Sequence, residues 1–124
     1  MPHIVIEYSS GADERVDMAA LVQSVHNSAR ESGLFARNAV RTLARGADYS
    51  CVANGAAGNH YIQITMRIAP GRKAEIKKTI SRFIFDAAYA VIDQKLLLGP
   101  VALRVDLIES DPAFSNQINN LPTD

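Results

Sequence analysis

Cysteine is all but missing: of 124 residues only Cys51 carries a thiol. An intramolecular disulfide is therefore impossible, and neither a structural zinc site nor a redox pair can be assembled from thiols. A chain so poor in cysteine suits a reducing, cytoplasmic compartment. Excess charge is missing too, because thirteen lysines and arginines balance thirteen aspartates and glutamates. With no global field, nucleic acid and anionic membranes are not expected partners, and any charge selectivity has to be local. No uncharged apolar run reaches the roughly 18 residues of a membrane span. The opening Met1-Pro2-His3-Ile4-Val5-Ile6-Glu7 has no basic stretch leading into an apolar segment, so neither export nor membrane insertion is expected. The three histidines, His3, His26 and His60, lack the spacing that sets two ligands on one helix face, and no metal is expected.

What is present is apolar mass. Hydrophobic residues make up 48% of the chain, enough for a real core in one domain spanning residues 1–124. His3 to Tyr8 alternates, with Ile4, Ile6 and Tyr8 on one side, so a half-buried strand begins almost at the amine. Asp17 can cap a helix carrying Met18, Leu21, Val22, Val25 and Ala29 at helical spacing until Gly33. An extended run is expected over residues 38–43 and a second short one around residues 49–53, followed by a turn over Asn54 to Asn59. A second alternating strand places Ile62, Ile64, Met66 and Ile68 on one face and Tyr61, Gln63, Thr65 and Arg67 on the other. The longest helix is expected from Arg72 to about Leu97, with a stripe of Ile76, Ile80, Phe83, Ala87 and Val91. Val101, Leu103, Val105 and Leu107 alternate as a last strand, and the polar tail beyond Ser110 is interrupted by Phe114, Ile118 and Leu121. This order predicts an α+β fold in which two β-α-β units form one sheet with both long helices on one face.

Few residues stand out chemically. Removal of Met1 would leave Pro2 as a secondary amine fixed to the head of a strand. Burial or nearby cations would lower its pKa toward neutrality, which suits abstraction of a proton beside a carbonyl. Proline also follows methionine simply because it permits cleavage, so Pro2 alone decides nothing. Among nine arginines, Arg41 lies in the second strand region and Arg72 at the start of the long helix, where a guanidinium fork could hold a carboxylate. Arg15, Arg30, Arg37, Arg82 and Arg104 read as surface, and Arg45 and Arg67 stay undecided. Cys51 has no nucleophile motif, and Glu7, Glu109 and Asp111 sit near strand ends without forming an evident acid-base pair.

Taken in order, Met1-Pro2-His3, the strand ending in Glu7, Gly33-Leu34-Phe35 before Val40-Arg41, Gly71-Arg72 and the Asp111-Pro112 and Gln117-Ile118-Asn119-Asn120 tail resemble 5-carboxymethyl-2-hydroxymuconate isomerase, a family of the tautomerase superfamily. The segment from Arg45 to Gly58 departs from it. The resemblance implies a homotrimer, no cofactor, Pro2 as catalytic base, and Arg41 and Arg72 as substrate-binding residues. It also implies a small dicarboxylate or tricarboxylate substrate from the breakdown of aromatic compounds, converted by proton transfer. Two readings compete with it: a hydratase or dehalogenase using the same base and arginines, and a non-catalytic trimeric binding protein that retains Met1.

Overall fold

The alternation at the amino end becomes β1 (His3–Tyr8) in the computed structural model, which describes residues 1–124. Ser9 ends the strand by turning its hydroxyl to local partners: Ser9 Oγ accepts from the Tyr61 amide at 3.0 Å and lies 2.9 Å from His60 Nδ1. It is the one buried polar residue beside an otherwise apolar core, and these bonds offset its loss of water. The helix α1 (Met18–Glu31) starts where Asp17 accepts a hydrogen bond from the Ala20 amide at 3.0 Å. The strands β2 (Arg41–Gly46) and β3 (His60–Ile68), the helix α2 (Ala74–Ile92) and β4 (Val101–Glu109) complete the order.

The sheet runs β2-β1-β3-β4. β1 is parallel to β2 and β3 to β4, while β1 and β3 meet antiparallel. Each half is thus a β-α-β unit, as expected, and the two units join through β1 and β3. One cluster gathers Ile4 and Ile6 of β1, Ile62, Ile64, Met66 and Ile68 of β3, Leu21, Val25 and Ala29 of α1, and Ile80, Ile84, Ala88 and Ile92 of α2. Both helices therefore cover the same face of the sheet. They also touch each other, with Ser24 Oγ donating to the Ala87 carbonyl at 2.8 Å. Burying each of these large side chains contributes roughly 1.5 to 3 kcal/mol.

Five expectations need correction. The extended run placed at residues 38–43 begins only at Arg41, because Arg37–Ala39 coil into a 3-10 turn. Residues 49–53 form no strand: β2 ends where Gly46 pairs with Tyr8, the last residue of β1, so a further extended piece has no partner strand there. The buried line of α2 is Ile80, Ile84, Ala88 and Ile92, while Ile76 is exposed and Phe83, Ala87 and Val91 are half-buried. The helix is apolar on adjoining faces, and the sheet selects the line at four-residue spacing. Finally, α2 stops at Ile92 and continues as a 3-10 segment, Asp93–Leu98, while Arg72 lies before the helix, whose N-cap is Lys73. Arg15 is also less idle than a surface charge, since it donates to the carbonyls of Pro100 at 2.9 Å and Gly58 at 3.0 Å and ties two loops together.

Candidate active site

The sheet face away from the helices carries polar rows set by strand register. His3 in β1 has Arg41 of β2 as its neighbour on one side and Arg67 of β3 on the other. Because registered partners project to the same face, Arg41, His3 and Arg67 form one row across the head of the sheet. The chain enters β1 there, pinned by the Arg41 amide donating to the Pro2 carbonyl at 3.1 Å. Pro2 itself is buried.

This row floors a cavity of about 690 Å³. Met1, His3, Arg41 and Arg67 line it, Ala69, Pro70 and Ser110 form one side, and the tail segment Pro112, Phe114, Ser115, Asn116, Gln117 and Ile118 walls it. No aspartate or glutamate is among the lining residues. The amine at the chain start has its pKa lowered from the ordinary value, first by burial, then by Arg41 and then by Arg72. His3 is likewise lowered, by burial and then by Arg41, Arg67 and Arg45, so it is held in its neutral form. Its Nδ1 is buried without a hydrogen-bond partner.

Of the residues singled out from sequence, only Arg41 lines this cavity; Pro2 is buried behind Met1, which does line it, and its carbonyl is held by the Arg41 amide. Arg72 sits on its flank and does not line it: one guanidinium nitrogen donates to the Leu34 carbonyl at 2.9 Å, and the group lies 4.7 Å from the centre of the Phe35 ring. Its charge nevertheless reaches the terminal amine. Sequence reasoning missed His3, Arg67 and the tail wall. The alternation of β3 already put Arg67 on the solvent side, but only the pairing of β3 with β1 places it next to His3. The tail is held over the site by Asn38 and Asn119: Asn38 Nδ2 donates to the Leu121 carbonyl at 3.1 Å, and Asn119 Nδ2 to the Asn38 carbonyl at 3.0 Å.

The other two histidines serve packing. His60 joins Ser9, and His26 Nδ1 lies 2.9 Å from Thr42 Oγ1, linking α1 to β2. Cys51 is exposed and lies outside the cavity. No helix is long and apolar enough to cross a membrane.

Comparison with known proteins places this geometry. A curated 5-carboxymethyl-2-hydroxymuconate Delta-isomerase from Escherichia coli is 24% identical over 98% of this chain and 96% of its own length. A crystal structure of a 5-carboxymethyl-2-hydroxymuconate isomerase from Deinococcus radiodurans R1 superimposes with a TM-score of 0.87 at 19% identity, covering 96% of this chain and 90% of that one. A fused 4-OT symmetric trimer matches more loosely, with a TM-score of 0.67 at 19% identity over 94% of this chain and 93% of that one. The family model for 5-carboxymethyl-2-hydroxymuconate isomerase matches residues 2–123. The chain therefore belongs to the 5-carboxymethyl-2-hydroxymuconate isomerase family, isomerases on the tautomerase fold.

Proposed function

We propose that the protein isomerises an unsaturated, carboxylated 2-hydroxy acid of the 5-carboxymethyl-2-hydroxymuconate type, with the Pro2 nitrogen as general base. The observation that carries this reading is the chain start at the head of a central strand, where Met1 and Arg41 line an acid-free cavity directly in front of the buried Pro2. In the encoded chain the Pro2 nitrogen is a tertiary amide and no base, so activity requires removal of Met1. The amine then belongs to Pro2, one residue further into the strand, where burial and the same two arginines disfavour its protonated form.

The proton balance closes without a further reagent. Pro2 nitrogen takes a proton from the enol hydroxyl or from carbon, the charge spreads over the conjugated system as a dienolate, and the resulting ammonium returns the proton to a carbon further along. Arg41 holds a substrate carboxylate by its guanidinium fork, and Arg72, whose remaining donors are free, supplies the second cation. Cations fixed before the reaction stabilise the dienolate at no cost of reorganisation. The role belongs to the cytoplasmic breakdown of aromatic compounds, and a homotrimer would cover the edge strands β2 and β4, whose Leu43 and Ile108 are exposed in one copy.

The test is ultraviolet-monitored ketonisation of 2-hydroxymuconate by protein whose intact mass shows loss of Met1. Pro2→Ala is expected to lower kcat about 100-fold or more, the usual contribution of a positioned base. A Met1-retaining preparation as active as processed protein would refute the assignment. Product mass separates the competing chemistry, since an isomer keeps the mass of its substrate while hydration adds one water.

A further inference from the structure

We propose that Arg67 determines specificity in this site by binding a second carboxylate of the substrate, so that the cavity selects dicarboxylates over monocarboxylates. The proposal rests on the isomerase reading above and adds to it a residue outside the Pro2, Arg41 and Arg72 set. Three observations lead to it.

Position comes first. Arg41 and Arg67 flank His3 in one row of the sheet. Neighbouring strands lie about 4.8 Å apart, so the two arginine backbones stand roughly 10 Å apart across the cavity floor. Forks reaching inward from both sides span a ligand of about six carbons with an acid at each end.

Pairing comes second. Every acidic side chain on the sheet is already engaged: Glu7 with Arg45 at 3.7 Å, Asp106 with Arg104 at 3.0 Å, and Glu109 with Lys77 at 3.1 Å. Arg41 and Arg67 take part in no ion pair, and neither guanidinium donates a hydrogen bond to the protein. Asp111, close to the cavity, spends its carboxylate on the Ala113 amide at 2.9 Å. The sheet thus neutralises its charges everywhere except in this row.

Contrast with Arg72 comes third. Arg72 is half-buried, bonded to Leu34 and stacked on Phe35, and does not line the cavity. Arg67 is exposed and lines it. A carboxylate entering opposite Arg41 meets Arg67, and the neutral His3 between them adds no third positive charge for the ligand to balance.

The experiment compares adipate with hexanoate by isothermal titration calorimetry on the full-length protein. Both are saturated and unreactive, so binding is read whether or not the protein turns anything over. Wild type is expected to favour adipate. Arg67→Ala should cut the adipate-to-hexanoate affinity ratio on the order of 10- to 100-fold, the usual effect of losing a charge-assisted contact. Arg67→Lys, which keeps the charge but loses the fork, should restore part of the ratio and serves if the alanine variant fails to fold. An unchanged ratio in either variant would overturn the proposal, as would a wild type indifferent to the second carboxylate. So would loss of assembly on gel filtration with the ratio intact, which would make Arg67 an interface residue. Failure of the isomerase reading shows separately, as absent turnover with the adipate preference retained.

Discussion

The tail wall yields a prediction whose size follows from counted bonds. Asn119 makes one that crosses to the body: its amide donates to the Asn38 carbonyl at 3.0 Å, while its Oδ1 accepts from the Leu121 amide at 2.9 Å within the tail itself. Asn38 makes one through its side chain, to the Leu121 carbonyl at 3.1 Å. A net contribution of about 1 kcal/mol per neutral hydrogen bond puts Asn38→Ala and Asn119→Ala at about 1 kcal/mol each and the double variant at about 2 kcal/mol. These losses fall on detachment of the tail, because the core cluster contains no tail residue. The detached population should then rise about 5-fold for either single variant and about 30-fold for the double variant. Limited proteolysis within residues 117–121 reads that population, because cleavage tracks the open form when opening and closing are fast. Substrate KM should climb in the same order, since Pro112 to Ile118 wall the cavity. Cleavage no faster in the double variant than in the single ones, or hydrogen exchange that speeds up across β1 and β3 as well, would refute a local clamp.

Other expectations follow from the same geometry. After burial, Arg41 is the strongest influence lowering the terminal amine's pKa, with Arg72 behind it. Removing a cation relieves the ammonium, so Arg41→Ala should move the acidic limb of the kcat/KM profile to higher pH, and Arg72→Ala should move it less; a limb that stays put would disconnect Arg41 from the base. Ile84 is fully buried between α2 and the sheet, so Ile84→Ala should cost about 2 to 5 kcal/mol in urea denaturation, whereas Ile76→Ala, at an exposed position, should cost far less. His26 has its pKa lowered from 6.5, by burial and then by Arg30. The folded state resists its protonation, so its contribution is fully present above pH 6.5 and is lost as pH falls through the lower folded value. His26→Gln should therefore flatten the fall of Tm below pH 6.5, and an unaltered slope would count against this.

Legibility in the sequence followed the range of the interactions. The β1 alternation, the Asp17 cap and the succession of strands and helices along the chain needed only near neighbours, and each is present in the fold. The α2 stripe was displaced because Phe83, Ile84, Ala87 and Ala88 make adjacent faces equally apolar, and only contact with the sheet chooses Ile84 and Ala88. Tyr49 to Ala53 has suitable residues for a strand, but a strand also needs an edge to pair with, and β1 has ended by Gly46. Arg67 and the tail wall depend on partners far away in the chain, 64 positions in the case of His3 and 81 for the bond between Asn119 and Asn38. Periodicity carries no information about such pairs.

The same distinction explains how one short row can serve both chemistry and recognition. Like charges directly opposite each other across strands are destabilising, and here two arginines are kept apart by an intervening strand bearing a neutral imidazole. Burial and the flanking guanidinia hold His3 neutral, and a neutral His3 in turn lets those guanidinia share one floor without a third charge. The head of β1 lies beside Arg41, whose amide fixes the Pro2 carbonyl, so the cation that disfavours a protonated amine is built into the strand pairing that positions it. The proposed base and its proposed anion anchor would thereby both be set by backbone register. Side chains such as Arg67 can vary what the site admits without moving the atom that would take the proton.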